Sequence, residues 1–316
     1  MDLYFYTDLE SEFHRQRVLA LLDGKLILSD PLSFNDPFDS KLNMCHDDTE
    51  QAVAKEMEEK RGSNLSYIQN ENSCRAELES RRENVFKDYR MFCFSENWDS
   101  LLMWAHYARS HKGLCLKIRV DPDALSRPKD ILSPVRYTTH YPEISGEDIA
   151  VKNDDALKTL LLTKSVDWLY EKEWRYITSY FACSRDSGCS SRYDHVDARS
   201  FLEVKEAYLG VKFGDLSCMR NVFGSVYGVC SGETVFDLLE QGAESELDKL
   251  SQRSGEHRDA IDRERVLMAL RKKKILLFEC KKGSATFSLN LQPLEYSRCM
   301  SLDVGCLNVG RKQVHV

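Results

Sequence analysis

The run from Phe92 to Cys115, Phe-Cys-Phe-Ser-Glu-Asn-Trp-Asp-Ser-Leu-Leu-Met-Trp-Ala-His-Tyr-Ala-Arg-Ser-His-Lys-Gly-Leu-Cys, constrains the fold more than any other part of the chain. Met91, Cys93 and Ser95 alternate with Phe92 and Phe94, which predicts a strand, and Asp99 or Ser100 then offers an oxygen to cap a helix. The helix is expected from about Ser100 to Ser110. At about 100° per residue Leu101, Trp104, Ala105, Tyr107, Ala108 and His111 share one arc, with Leu102, His106 and Arg109 opposite. A helix apolar nearly all round is expected to be buried. Gly113 suits a left-handed stop, and Leu114, Leu116, Ile118 and Val120 alternate with Cys115, Lys117 and Arg119 as a half-buried strand.

The same periodicities predict a strand at Leu3 to Thr7, an amphipathic helix at Glu12 to Leu22 stopped at Gly24, and a strand at Lys25 to Ser29. Pro31-Leu-Ser-Phe-Asn-Asp-Pro-Phe-Asp39 is expected to be an ordered loop. Charge-rich segments near 47–89 and 234–273 read as helical insertions outside the core. Leu157, Leu161, Lys164 and Trp168 repeat at helical spacing, which sets Lys164 in an apolar stripe where it needs a partner. Strands are expected at Val135 to Tyr137, Glu203 to Val211 and Ser225 to Cys230, and a hairpin of Ile275 to Cys280 with Thr286 to Leu291 closes the pattern. The whole reads as an α+β fold, a mixed or largely antiparallel sheet with peripheral helical regions, forming one domain over residues 1–296 followed by a tail over 297–316.

In Tyr170-Glu-Lys-Glu-Trp-Arg-Tyr-Ile177, strand alternation would put Glu171, Glu173 and Arg175 on one face and Trp174 and Tyr176 on the other. Carboxylates so close shift each other's ionisation, and Arg175 can pair with either, which makes this the strongest chemical candidate. His106 and His111 are candidates for acid, base or ligand roles, with Tyr107 able to hold an aromatic ring. Asn35, Asp36 and Asp39 suit a metal ion or a ribose hydroxyl, although such residues also bond their own backbone. Cys183, Cys189 and His195 match the spacing of no common zinc site. The sequence has no glycine-rich phosphate loop, no Gly-x-Ser-x-Gly and no His-Glu-x-x-His, which removes most support for Walker-type nucleotide hydrolysis, ordinary serine hydrolysis and zincin proteolysis.

A net charge of −7 gives no long-range basic field for nucleic acid, although Arg271-Lys-Lys-Lys274 is locally basic. The 11 cysteines are odd in number and unpaired by any Cys-x-x-Cys, and the first residues lack a signal peptide's basic start and apolar run. No window has the apolar length of a membrane span. These features predict a cytoplasmic protein that does not enter a membrane.

Taken in order, the motifs resemble an uncharacterised bacterial family known as a domain of unknown function. They are Tyr4-Phe-Tyr6, Phe34-Asn-Asp-Pro-Phe-Asp39, Cys93-Phe-Ser-Glu96, Met103-Trp-Ala-His-Tyr-Ala108 with His111-Lys-Gly113, a helix bearing Lys164, Trp168-Leu-Tyr-Glu-Lys-Glu-Trp-Arg175 and Ala207-Tyr-Leu-Gly210. The resemblance spans Leu3 to Tyr296.

The layout is also similar to the ADP-ribosyltransferase superfamily, with its DNA- and RNA-directed toxin branches. Tyr6-Thr7 would stand on the first motif strand, Phe94-Ser95 on the second and Glu171-Lys-Glu173 on the third; the His or Arg usual on the first strand is absent. That resemblance implies an NAD-cleaving or ADP-ribosyl-transferring enzyme acting as a bacterial toxin or defence effector. Its substrate is a small nucleotide and its acceptor a protein or nucleic acid. Glu173 would be the key carboxylate, with Glu171 and His106 beside it. Tyr4, Tyr6 or Tyr107 would stack on nicotinamide, and His106 or Arg175 would hold ribose or pyrophosphate. Ser95, Trp104, His111, Lys164, Asn35, Asp36 and Asp39 complete the binding set. Two other classes remain open. One is a nuclease or phosphodiesterase in which Asp36, Asp39, Glu171 and Glu173 hold magnesium or manganese and Lys164 or His106 assists. The other is a non-catalytic sensor or interaction protein.

Overall fold

The computed structural model describes residues 1–39, 80, 83, 84, 86–125, 127–142, 154–184, 193–213 and 265–294. They fall into two compact units, one of Met1–Leu26, Asn97–Asp121 and Asp197–Val316, the other of Ile27–Glu96 and Pro122–Val196. Both are α+β with mostly antiparallel strands, as the alternation of apolar residues predicts. The expected strand at Ser225 to Cys230 and most of both charged insertions lie outside the described residues.

The first unit begins with β1 (Asp2–Thr7) and helix α1 (Glu12–Leu22). Ser11 caps α1 by accepting from the His14 N–H, and Gly24, at φ 72, turns the chain as expected. The strand β2 (Lys25–Ile27) follows. Helix α2 (Leu101–His106), β4 (Leu114–Val120), β10 (Leu202–Leu209), a helix over 265–272, β11 (Leu276–Lys282) and β12 (Leu289–Pro293) complete this unit. Its sheet runs β12-β11-β10-β4-β1, antiparallel except for the β10–β11 pair. Leu3 and Phe5 of β1, Leu116 and Ile118 of β4, and Ala207 and Leu209 of β10 are buried, and α1 packs on β10. Each large apolar side chain so buried contributes about 1.5–3 kcal/mol.

The helix in the opening motif is shorter than its periodicity suggests. Ser100 caps it, with its oxygen accepting from the Met103 N–H, but it ends at His106. Arg109, Ser110 and His111 then adopt left-handed backbone at φ 47, 53 and 70. Those residues, and not Gly113, make the left-handed stop. Gly113 is required by close approach instead: a Cβ there would lie 2.2 Å from the Thr7 carbonyl oxygen. Nor is the helix buried all round. Met103 and Trp104 are buried, whereas Leu102 and His106 are exposed.

The second unit contains β3 (Tyr89–Ser95), β5 (Ile131–Pro134), β6 (Arg136–Thr138), helix α3 (Asp154–Leu161), β7 (Thr163–Ser165) and β8 (Glu173–Ser179). Tyr89 thus opens a strand and does not close the helical insertion. The strands run β3-β8-β5, all antiparallel, and β6 pairs with β7 in parallel. A further strand is β9 (His195–Asp197). Met91, Ile177 and Ile131 are cross-strand neighbours, and with Phe86, Leu160 and Leu161 they form the apolar core of the unit. Residues i and i+2 of a strand share a face, so Arg175 and Glu173 continue the face that Ile177 begins. Opposite them on β3 stand Cys93 and Ser95. One continuous face therefore changes from apolar to ionic along its length.

Candidate functional site

The ionic end of that face is a buried cluster of Asp39, Lys164, Glu171, Glu173 and Arg175, each less than a tenth exposed. Arg175 lies at its centre. Its Nε donates to Glu173 Oε1 at 2.8 Å, one terminal nitrogen donates to Asp39 Oδ1 at 2.9 Å and to the Leu161 carbonyl at 2.7 Å, and the other donates to Asp39 Oδ2 at 2.5 Å and to Glu173 Oε2 at 3.2 Å. A guanidinium carries five N–H groups in a planar fork, and each has an acceptor here. The Leu161 carbonyl belongs to the last residue of α3, an end that carries unsatisfied acceptors and partial negative charge. Phe34 covers the guanidinium at 5.5 Å.

Lys164 bridges the two glutamates, donating to Glu171 Oε2 at 2.6 Å and Glu173 Oε2 at 3.0 Å; Asp39 Oδ2 lies 3.9 Å away. Its ammonium also sits 4.9 Å from the Trp168 ring centroid. The partner that an apolar setting demanded of this lysine is thus present, but not on a helix. α3 stops at Leu161, and Lys164 lies in β7 beside Tyr137 of β6. The helical spacing of Leu161, Lys164 and Trp168 arises from a helix end, a short strand and a 3-10 turn in succession.

Glu171 and Glu173 do not share a strand face. Glu171 ends the 3-10 turn Val166–Glu171, Lys172 is left-handed at φ 42, and β8 begins only at Glu173. The reversal at Lys172 brings both carboxylates to one ammonium, the proximity that alternation anticipated by a different route. The Ser95 hydroxyl donates to the Glu171 carbonyl at 2.6 Å, and Ser95 is the cross-strand partner of Glu173. The Tyr137 hydroxyl accepts the Glu173 N–H at 2.8 Å.

Burial opposes ionisation of Glu173, but Arg175 and Lys164 outweigh it and hold the carboxyl far below its ordinary value. Burial likewise opposes the charge on Lys164, and Glu173 and Glu171 reverse that and raise its pKa. Burial and the Glu173 charge push the Cys93 thiol well up, which disfavours the thiolate. Tyr137 is pushed to about 12, chiefly by burial, with Glu173 and Glu171 adding to it.

Asp36 is buried in the loop before Asp39, with Oδ1 accepting from the Phe38 N–H, and Asn35 is exposed. The other expected site residues belong to the first unit. There the Tyr6 hydroxyl donates to the Asn97 carbonyl, the Tyr6 ring meets Trp104 edge-on, and Trp104 stacks on His111. Tyr4 lies 6.2 Å from Tyr208, and exposed His106 sits beside Tyr107. Of the zinc candidates, Cys189 lies outside the described residues, and the His195 backbone pairs with Ser184. Among the described residues no three His, Cys, Asp or Glu side chains are arranged to hold a metal ion. Tyr137 enters the cluster without a sequence signal of its own, because only the tertiary fold brings it to Glu173, whereas Phe34, which covers Arg175, opens the loop motif that ends at Asp39.

Residues 103–176 match the family model described as protein of unknown function (DUF2971). The motifs from Met103 to Arg175 lie within this stretch, which is similar to a domain of unknown function, as their resemblance implied. The matched stretch carries Lys164, Glu171, Glu173, Arg175 and Tyr137, together with the last four residues of α2 and the left-handed turn after it. No curated protein and no solved structure matches the chain. Among the described residues no helix is long and apolar enough to cross a membrane.

Proposed function

We propose that the chain is an NAD-cleaving enzyme of the ADP-ribosyltransferase type, with Glu173 as the carboxylate beside the reacting ribose. The observation that carries this reading is the register of β3 against β8. It pairs Ser95 with Glu173, and the reversal at Lys172 brings Glu171 to the same ammonium, in line with an aromatic-Ser strand beside a Glu-x-Glu segment. Cleavage breaks the bond between ribose and nicotinamide. The bonding pair departs with nicotinamide, and the sugar carbon gains positive charge. A fixed, ionised carboxylate in a water-poor setting stabilises that charge, and Arg175 and Lys164 keep Glu173 ionised. The sugar reaches Glu173 by displacing the Lys164 ammonium that bridges it to Glu171. An acceptor oxygen or nitrogen then bonds to the sugar carbon and gives up its proton to Glu171.

A second reading is favoured by the burial itself. Glu173 is 5% exposed, Arg175 is 0% exposed, and their charges face one another, as in an ionic core of a non-catalytic interaction protein. For a metal-dependent nuclease, the oxygen donors of Asp39, Glu171 and Glu173 are of the right chemical type, but the Lys164 ammonium stands among them.

Nicotinamide release from NAD by the parent and by Glu173→Gln, with and without magnesium and with protein and nucleic acid as acceptors, separates the three. Release that the variant loses supports the NAD reading. Magnesium-dependent cleavage of nucleic acid without nicotinamide release supports the nuclease. A parent inert in every arm leaves the ionic core.

A further inference from the structure

A second group of cations gathers in the first unit. Thr7 of β1 and Leu209 of β10 both pair with Leu114 of β4, and Leu209 stands beside Glu279 of β11, so these strands end or begin at one edge of the sheet. Past that edge come His111 before β4, Lys212 after β10 and Lys282 at the end of β11. Lys212 and Lys282 each follow the Leu209–Glu279 pair by the same number of residues.

The His111 segment is held there firmly. The Lys212 N–H donates to the His111 carbonyl at 2.9 Å, and Gly210 lies so close that a Cβ would come within 2.2 Å of that carbonyl oxygen. Three successive left-handed residues bring the imidazole to this position, and Trp104 stacks on it at an interplanar angle of 9°. Non-glycine residues cost about 1–2 kcal/mol each in that conformation, so the surrounding packing must impose it.

The charges here are uneven. Asp8 is taken by His14, Glu10 by Arg109 and Glu279 by Lys281. Lys112, Lys212 and Lys282 make no ion pair among the described residues. The His111 Nδ1 is buried without a hydrogen-bond partner, and burial together with Lys212 and Lys282 lowers the pKa of the ring. Unpaired ammonium groups that depress the pKa of a neighbouring imidazole leave an excess of positive charge at this end of the sheet, which an anionic ligand would relieve.

We propose that His111, Lys212 and Lys282 form an oxyanion site at this edge of the sheet that binds a phosphate-bearing small molecule, with pyrophosphate as its simplest form. The two ammonium groups meet the phosphoryl charge, and the partly exposed imidazole, fixed by Trp104, borders the bound anion. The site stands independently of the NAD reading, since pyrophosphate binding requires no nicotinamide release.

The test is calorimetric titration of the full chain with inorganic pyrophosphate, inorganic phosphate and ADP, repeated on Lys212→Gln/Lys282→Gln and on the control Lys158→Ala. Both lysines are exposed, so the double variant keeps its fold, which circular dichroism checks. Saturable pyrophosphate binding that the double variant weakens by at least about tenfold and the control leaves intact supports the site. Shifts of the His111 ring resonances on adding pyrophosphate support it further. Tighter binding of ADP than of pyrophosphate identifies a nucleotide ligand, and equal binding a bare phosphate ligand. The proposal falls if neither pyrophosphate nor ADP saturates at about 10 mM, the weak end of specific affinity. Binding that survives the double substitution, or leaves the His111 resonances unmoved, also overturns it.

Discussion

Replacement of Arg175 by Met tests whether the buried cluster is held together by its charges. Methionine keeps an unbranched stem of similar volume beneath Phe34, so the principal loss is electrostatic. Asp39 and Glu173 lose their nearest cation, and Lys164 remains 3.0 Å from Glu173 and 3.9 Å from Asp39 as partial compensation. Removing one member of a buried ion pair costs about 3–5 kcal/mol because the other is left charged in a poor solvent. At about 2 °C per kcal/mol for a chain of this size, Tm falls by about 6–10 °C. The loss also depends on pH. In the parent the folded-state pKa of Glu173 is depressed, so its contribution is present above the unfolded value of about 4.3 and is lost as pH falls through the folded value. In the variant, burial without the guanidinium raises the Glu173 pKa, so the penalty is full at neutral pH and shrinks as pH falls and the carboxyl protonates. Urea unfolding of parent and variant at about pH 7.5 and about pH 5, followed by circular dichroism, measures both. A loss below about 1 kcal/mol at neutral pH, the range of an exposed pair, refutes the reasoning, as does an equal loss at both pH values.

Tyr137→Phe leaves the Glu173 N–H without its acceptor and is expected to lower unfolding free energy by about 1–3 kcal/mol, read by urea titration. In the parent the Tyr137 phenol ionises at about 12, so a spectrophotometric titration of parent against that variant shows the difference absorbance rising near that pH and not at the ordinary value of about 10. Gly113→Ala presses a methyl group against the Thr7 carbonyl and costs about 1–3 kcal/mol, visible as a lower Tm. Ser110→Gly relieves a left-handed residue at φ 53 and is expected to raise stability by up to about 1 kcal/mol after glycine's own entropic cost.

Much of the fold is legible because burial imposes a period on the sequence. α1 runs over the predicted Glu12–Leu22, β1 and β4 lie where apolar residues alternate, and the hairpin of β11 and β12 falls within a few residues of its expected place. Legibility failed where a short element left too few residues to express its period. Lys164 fell into a helical repeat made of three different elements, and Glu171 into a strand that begins two residues later. The division into two units was hidden as well, since each is assembled from separated stretches and composition does not change at their boundaries.

The sequence by itself determined which residues needed an answer: a lysine among apolar neighbours, two close glutamates with an arginine, an Asp in a proline-braced loop. Local patterning could say that these charges were costly to bury and had to be paired. It could not say with what, because Asp39 and Arg175 are 136 residues apart and meet only when β8 is in register with β3 and the loop closes over it. The tertiary structure decided the pairing, and with it the ionised state of Glu173 and the bridging place of Lys164. Short-range preference acts over a few residues, whereas Coulomb attraction and desolvation act over ångströms, whatever the length of chain between.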